Sequence, residues 1–147
     1  MNRIAKAKPR TAAGRGYTSK QMGDAAEMLV AAELTLHGNP AFIVPANWPG
    51  YDVIAQSPNA PAQRVSVKSR DRTTFFDFDP DTFDWLAVVI LMQRQRRFFI
   101  IPKDVALAHS YSRDFPSRRG DPRGLHVRTI LTKLLAYENN FTLQRED

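Results

Sequence analysis

The apolar run Trp85–Met92 constrains the fold more than any other segment of the sequence. Its eight residues show no alternation of polar and apolar side chains, which is typical of a strand that is covered on both faces. Such a strand needs a layer of chain on each side of its sheet. The other segments give a helix, then four or five strands that include this run, and then helices. We therefore expect an α/β fold, a mixed β-sheet flanked by α-helices. The run is also too short to span a bilayer, so no membrane association is expected.

Local signals position the remaining elements. Thr18 and Gln21 have the spacing of a capping box and Gly38 supplies a stop, which predicts a helix between them. The segments after this helix are expected to form strands at Ala41–Val44, Tyr51–Gln56, Gln63–Ser69 and Phe98–Ile101, and helices at Lys103–His109 and at about Thr129–Glu138. A short strand at Leu125–Arg128 is an open possibility before the last helix. Residues 71–84 are expected to be irregular with at most one helical turn, and residues 110–124 to form a loop.

The net charge of +6 is concentrated at the N-terminus. The first 20 residues contain basic side chains and no acidic one, so the remainder is formally neutral. Residues 1–17, rich in Ala, Gly and Pro, are expected to be a flexible basic tail before a single domain at 18–147. Three interpretations of the tail are open. It is an arm that contacts phosphates, a solubilising leader, or the product of a misassigned start.

Missing residue types and motifs exclude several classes of protein. The chain has no cysteine, which excludes a disulfide scaffold, a thiolate zinc site and a cysteine nucleophile. A reducing compartment fits this composition, so we expect a cytoplasmic protein. The Gly14–Gly16 segment lacks the length and the lysine of a phosphate loop, and no organic cofactor is expected.

Polar side chains alternate with valines in the predicted hairpin. Because side chains alternate faces along a strand, Val65 and Val67 point to one face and Ser66 and Lys68 to the other. If the valines face the core, Asp52 of the first hairpin strand shares the face of Ser66 and Lys68, provided that the turn sets this register.

These residue types suit a site for a divalent cation. An ion such as Mg2+ prefers oxygen ligands and keeps room for water and a phosphate. Asp52, a backbone carbonyl near Val67, and Glu27 of the first helix could supply oxygens, and Lys68 could stabilise developing charge. Structural alternatives are open: Asp52 could simply begin a strand, Lys68 could face solvent, and Glu27 could pair with a surface base. Glu33 is a rival for the helical acid.

Three short motifs, in this order and spacing, resemble the PD-(D/E)XK nuclease superfamily. They are Gly23-x-x-Ala26-Glu27, Gly50-Tyr51-Asp52 and Val65-Ser66-Val67-Lys68, and the resemblance covers about residues 18–143. The layout is similar to small resolvase-like and restriction-endonuclease-like domains. The resemblance implies a restriction-endonuclease-like fold and a Mg2+- or Mn2+-dependent endonuclease that hydrolyses DNA phosphodiester bonds. Nucleases of this kind often form homodimers.

The resemblance also assigns roles to single residues. Glu27 matches the helical acid, Asp52 the invariant acid and Lys68 the motif lysine, with Asp52, Glu27 and the Val67 carbonyl as metal ligands. Ser66 departs from the pattern, because it stands where the family has Glu, Asp or Gln. An acid from elsewhere could substitute for it, such as Asp71 or Asp79. The alternative function is an inactive nuclease-fold module that binds nucleic acid or a protein.

Arginines near these motifs are candidates for contacts with phosphates. The residues predicted to bind nucleic acid are Arg64, Arg70, Arg94, Arg96 and Arg97. The aromatic cluster at residues 75–85 is expected in the core, with stacking on unpaired bases as the alternative.

Overall fold

The computed structural model describes residues 15–46, 48–93, 95–113 and 122–146. Its first element is helix α1, Ser19–Leu36. The Thr18 hydroxyl accepts a hydrogen bond of 3.1 Å from the Gln21 backbone N–H, and the Thr18 N–H donates one of 2.9 Å to the Gln21 side chain. This is the predicted capping box, and it satisfies two backbone N–H donors at the start of the helix.

In the described part of the chain, eight strands form two sheets. The strands are β1 (Ala41–Ile43), β2 (Val53–Ala55), β3 (Gln63–Arg70), β4 (Phe75–Phe78), β5 (Trp85–Ile90), β6 (Arg97–Pro102), β7 (Tyr111–Ser112) and β8 (Arg123–His126). The larger sheet has the order β1-β2-β3-β5-β6, with β3 and β5 parallel and the other pairs antiparallel. The smaller sheet has the order β4-β8-β7. The mixed sheet predicted from the sequence is therefore confirmed.

Two apolar layers cover the larger sheet, and β5 lies between them. On one face, α1 packs against the sheet through side chains that include Ala26, Val30 and Leu34. On the other face, side chains of the smaller sheet and of helices α2 (Lys103–Ala108) and α3 (Val127–Lys133) pack against β5 and β6. All six residues of β5 are buried, as the unbroken apolar run predicted.

The predictions for residues 71–84 and 110–124 were wrong in part. The first segment contains β4 and a 3₁₀ turn at Pro80–Thr82, and the second contains β7 and the start of β8. The acidic residues in the first segment concealed an alternation in which Phe76 and Phe78 are buried while Phe75 is exposed. Strand β4 forms because it pairs with β8, a partner about 50 residues away that local sequence does not reveal.

The last elements begin earlier than predicted. The expected strand at Leu125–Arg128 is β8, Arg123–His126, and the expected helix at Thr129–Glu138 is α3, Val127–Lys133, followed by a 3₁₀ turn at Leu135–Tyr137. The predicted core role of the aromatic cluster is confirmed for Phe76, Phe78, Phe83 and Trp85.

Some predictions fall on residues outside the described ranges. Residues 1–14, which make up most of the predicted basic tail, lie outside them, as does Arg94. Within the described ranges, no helix has both the length and the apolar character needed to cross a membrane.

Candidate functional site

Asp52 is held at the open edge of β3. Its Oδ2 accepts a hydrogen bond of 2.7 Å from the Val67 backbone N–H, and its own N–H donates one of 3.0 Å to the Val65 carbonyl. The preceding Gly50 has a φ of +95°, and a Cβ there would lie 2.5 Å from Thr82 Cβ. Glycine at this position therefore lets the loop before Asp52 pack directly on the 3₁₀ turn.

Strand β2 pairs only with residues 63–65 of β3, so it does not cover the edge of β3 at Val67. The backbone of Val67 therefore faces Asp52. Beyond that point, the side chain of Asp52 takes the place of a neighbouring strand. In an extended strand, the N–H and the C=O of one residue point to the same edge. The Val67 carbonyl is therefore directed toward the edge where the Asp52 carboxylate lies.

Ser66 and Lys68 lie on the other face of β3 from Val65, which is in the core beneath α1. Together with Asp52 they line a cavity of about 450 Å³. Ser66 is only 6% exposed, so it is a buried residue of the cavity lining. The strand alternation expected from the sequence thus brings Asp52, Ser66 and Lys68 to one place.

Glu27 reaches the same edge from α1. Burial, the charge of Asp52 and a hydrogen bond with its carboxyl group together raise the pKa of Glu27 to about 7. A hydrogen bond between two carboxyl groups requires a proton on one of them. The structure therefore brings two acidic groups together at a point where a proton or a cation would relieve their repulsion. Glu33, the rival helical acid, instead lies 3.7 Å from His37 Nδ1.

The opposite wall of the cavity comes from the smaller sheet and the 3₁₀ turn. It contributes Asp77, Phe78, Asp79, Thr82 and Pro122. Sequence reasoning missed Asp77 as a cavity residue, although its alternation with the two buried phenylalanines of β4 was a usable signal. Its carboxylate forms an ion pair of 3.0 Å with Arg113 Nε.

Of the two acids suggested as substitutes at position 66, one lines the cavity. Asp79 is part of its wall, and its Oδ1 accepts a hydrogen bond of 3.1 Å from the Asp81 N–H. Asp71 forms an ion pair with Arg15. Among the residues that the structure describes, no three Asp, Glu or His side chains form a group that could hold a metal ion by themselves.

None of the candidate phosphate-binding arginines in the described ranges lines the cavity, although Arg64 and Arg70 lie on the face of β3 that carries Lys68. Arg64 donates to Asp84, Arg97 donates to Glu138 at 2.6 and 3.0 Å, and Arg70 donates to the Phe75 carbonyl. Arg96 lines a groove beside α1, on the opposite face of the larger sheet from Lys68. A role for these arginines in binding nucleic acid stays a prediction.

Comparisons with known proteins identify the fold. No family model matches the sequence, and no curated protein matches it. Among solved structures, the chain is similar to the bacterial homing endonuclease I-Ssp6803I, with a TM-score of 0.61 and 15% identity over 86% of this chain and 93% of that one. It also matches the Holliday junction resolvase Hjc of Archaeoglobus fulgidus, with a TM-score of 0.44 and 14% identity over 69% of this chain and 88% of that one.

Proposed function

Because the chain has the restriction-endonuclease-like fold of PD-(D/E)XK nucleases, we propose that it is a Mg2+- or Mn2+-dependent endonuclease that hydrolyses DNA phosphodiester bonds. The observation that carries this proposal is the convergence of Asp52, Ser66 and Lys68 on one cavity, with the carboxyl group of Glu27 against that of Asp52. A phosphodiester of the DNA strand would enter this cavity.

The oxygen donors at the edge of β3 fit a small divalent cation. Glu27 and Asp52 supply carboxylates and Val67 supplies a backbone carbonyl, and protein sites for Mg2+ commonly use one or two carboxylates with water and phosphate as the remaining ligands. The like charge of the two carboxylates would favour the binding of a cation at this edge. When bound, such an ion lowers the pKa of a bound water and offsets the charge of the phosphate.

Lys68 would act on the phosphate from the cavity face of β3. Its ammonium group can donate to a phosphate oxygen or orient the attacking water, and it would stabilise the negative charge that grows in the transition state. Ser66, a buried residue of the cavity lining, supplies a hydroxyl and no charge. We therefore expect the site to hold its cation more weakly than a site with an acid at position 66.

Ser66 also supports a second candidate function, an inactive nuclease-fold module that binds DNA without cutting it. This function needs the cavity and cationic side chains but no tightly held cation. Binding through several phosphates weakens steeply as the salt concentration rises. A salt-dependent affinity without cleavage would therefore favour the binding module, and a flat response would exclude it.

A cleavage assay tests the enzyme. Duplex, branched and single-stranded DNA would be incubated with Mg2+ or Mn2+ and the wild type, Asp52→Ala or Lys68→Ala. Each substitution should lower the rate about 100-fold or more. Asp104→Ala and Lys133→Ala are matched controls on exposed residues of α2 and α3, and both should cut at the wild-type rate.

A gain-of-function variant sharpens the assay. Ser66→Glu places an acid at the position where the resemblance expects one, so it should bind Mn2+ more tightly and cut faster at low Mn2+ concentration. If neither the wild type nor Ser66→Glu cuts any of the three DNA forms, the enzyme proposal is wrong.

A further inference from the structure

Trp48 is an exposed aromatic residue at the rim of the cavity. Its side chain is 52% exposed, whereas Trp85, the other tryptophan of the chain, is 6% exposed. The next three residues, Pro49 to Tyr51, all line the cavity. The ring centroids of Trp48 and Tyr51 are 6.3 Å apart at an interplanar angle of 72°, so the indole stands edge-to-face beside a cavity residue.

Residues 48–51, which form this rim, are anchored to the fold. The Trp48 N–H donates a hydrogen bond of 2.9 Å to the Pro45 carbonyl, Gly50 lies against Thr82, and Tyr51 packs partly against the core. An exposed ring on an anchored loop loses little conformational freedom when a flat ligand stacks on it.

We propose that Trp48 stacks on an unpaired base next to the phosphate that enters the cavity. The inference rests on the proposed function and names its substrate class, which is DNA with unpaired nucleotides at the cleavage site, such as a flap, a fork or a single strand. In a continuous duplex both faces of each base are covered by neighbouring bases, so a base can meet the indole only after it leaves the stack.

Side chains on the same face of the sheet complement a single strand. Lys68 lies in the cavity beside the rim, and its ammonium group suits the backbone phosphate. Phe42 is 64% exposed and is aligned across the sheet with Ile54 and Arg64, which places it on the face of Ser66 and Lys68. Aromatic rings together with cations are the features that bind unpaired strands without sequence preference.

Fluorescence of Trp48 provides a direct test. In a Trp85→Phe variant, Trp48 is the remaining tryptophan and reports on its own environment. The variant would be titrated in EDTA with oligo(dT), with a flapped duplex and with a continuous duplex. Stacking should quench the emission with the first two ligands and leave it nearly unchanged with the duplex.

A second test measures DNA affinity with proteins that retain Trp85. It therefore does not depend on whether the Trp85→Phe variant folds. Trp48→Ala should weaken binding of the flapped duplex and of oligo(dT) on the order of tenfold while leaving the continuous duplex unaffected. Trp48→Phe should restore most of the affinity. Leu135→Ala, which removes an exposed apolar side chain of the last 3₁₀ turn, is the control and should bind all three ligands like the wild type.

Two outcomes would overturn the inference: absence of quenching by oligo(dT), or an equal effect of Trp48→Ala on the flapped and continuous duplexes. The outcome of these stacking measurements can be distinguished from the outcome of the cleavage assay. Quenching and flap preference without cleavage support the stacking site and contradict the enzyme, whereas cleavage without any preference contradicts the stacking site alone.

Discussion

Two carboxylates beside β3, Asp84 and Glu27, have opposite electrostatic environments. Asp84 accepts hydrogen bonds from the Arg64 backbone N–H at 2.8 Å and from its guanidinium at 3.2 and 3.3 Å. Although burial raises the pKa of Asp84, these bonds and the charge of Arg64 outweigh burial and hold the pKa below its usual range. For Glu27, burial and the charge of Asp52 both act to raise the pKa, to about 7.

The difference separates an acid that stabilises the fold from acids that form a site. The negative charge of Asp84 is balanced by Arg64. Arg64 belongs to β3, and Asp84 directly precedes β5, the strand that pairs with β3. The Glu27–Asp52 pair concentrates negative charge at a cavity instead, which costs stability until a proton or a cation arrives. Perturbed carboxylates in a cleft are typical of functional sites for this reason. The comparison predicts that the two environments respond in opposite ways to cations, substitutions and pH.

The largest expected difference is in the response to a divalent cation. At pH 8, Mn2+ at 100 times its dissociation constant should stabilise the folded wild type by about 2.7 kcal/mol, because it binds the folded state alone. Glu27→Gln and Asp52→Asn should lose most of this gain, which thermal unfolding with and without EDTA would measure. Asp84→Ala should retain it in full. An equal loss in all three variants would remove the distinction between the two environments.

Removal of the Asp84 side chain should have the next largest effect. Asp84→Ala deletes the acceptor for the Arg64 N–H and guanidinium, and we expect a loss of about 2 kcal/mol in the free energy of unfolding. Asp104→Ala breaks an exposed ion pair with Arg145 and should change that free energy by less than about 1 kcal/mol. Urea denaturation of both variants tests the prediction, and it fails if their midpoints coincide.

Glu27→Gln should stabilise the metal-free protein, by up to about 1 kcal/mol at pH 8. The amide keeps the shape of the side chain and removes one of two like charges. Glu33→Gln, on the same helix beside His37, is the matched control and should be neutral or slightly destabilising. Urea denaturation in EDTA measures both. A destabilised Glu27→Gln variant would show that the carboxylate pair is already compensated within the chain.

The parts of the molecule with strong local signals were predictable from the sequence. The capping box at Thr18 marks the start of α1, and the apolar run marks the central strand β5. The alternation of Val65 with Ser66 and Lys68 correctly indicated which side chains of β3 share a face. In each case, neighbouring residues determine the pattern, because helix caps and strand faces have short periods.

The second wall of the cavity was not predictable in the same way. Strands β4 and β8 are stabilised by pairing across about 50 residues, and the Phe76–Leu125 register is set by the core rather than by local propensity. Asp77 enters the cavity through that pairing. The contact of Glu27 with Asp52 also joins a helix to a distant strand, and only the residue types and the resemblance of the motifs indicated it.

The last comparison is between the effects of Glu27 and Asp84 on the pH dependence of the free energy of unfolding, which reflects the titration of single carboxyl groups. In the metal-free folded protein, Glu27 holds its proton up to a pKa of about 7, whereas its ordinary value is 4.5. Between these values the folded state binds more protons than the unfolded state, so the free energy of unfolding should fall as the pH rises and should level off above pH 7. Asp84, with a lowered pKa, should instead lose its stabilising contribution only as the pH falls below 3.8.

Urea denaturation of the wild type and of Glu27→Gln in EDTA, from pH 4 to pH 8, isolates the contribution of this carboxyl group. Subtraction of the two curves removes the titration of groups that both proteins share. The difference should grow between about pH 4.5 and pH 7 in favour of the variant. A constant difference across this range would mean that Glu27 has the same pKa in the folded and unfolded states. Glu27 and Asp84 would then differ in the geometry of their contacts and not in their electrostatic environments.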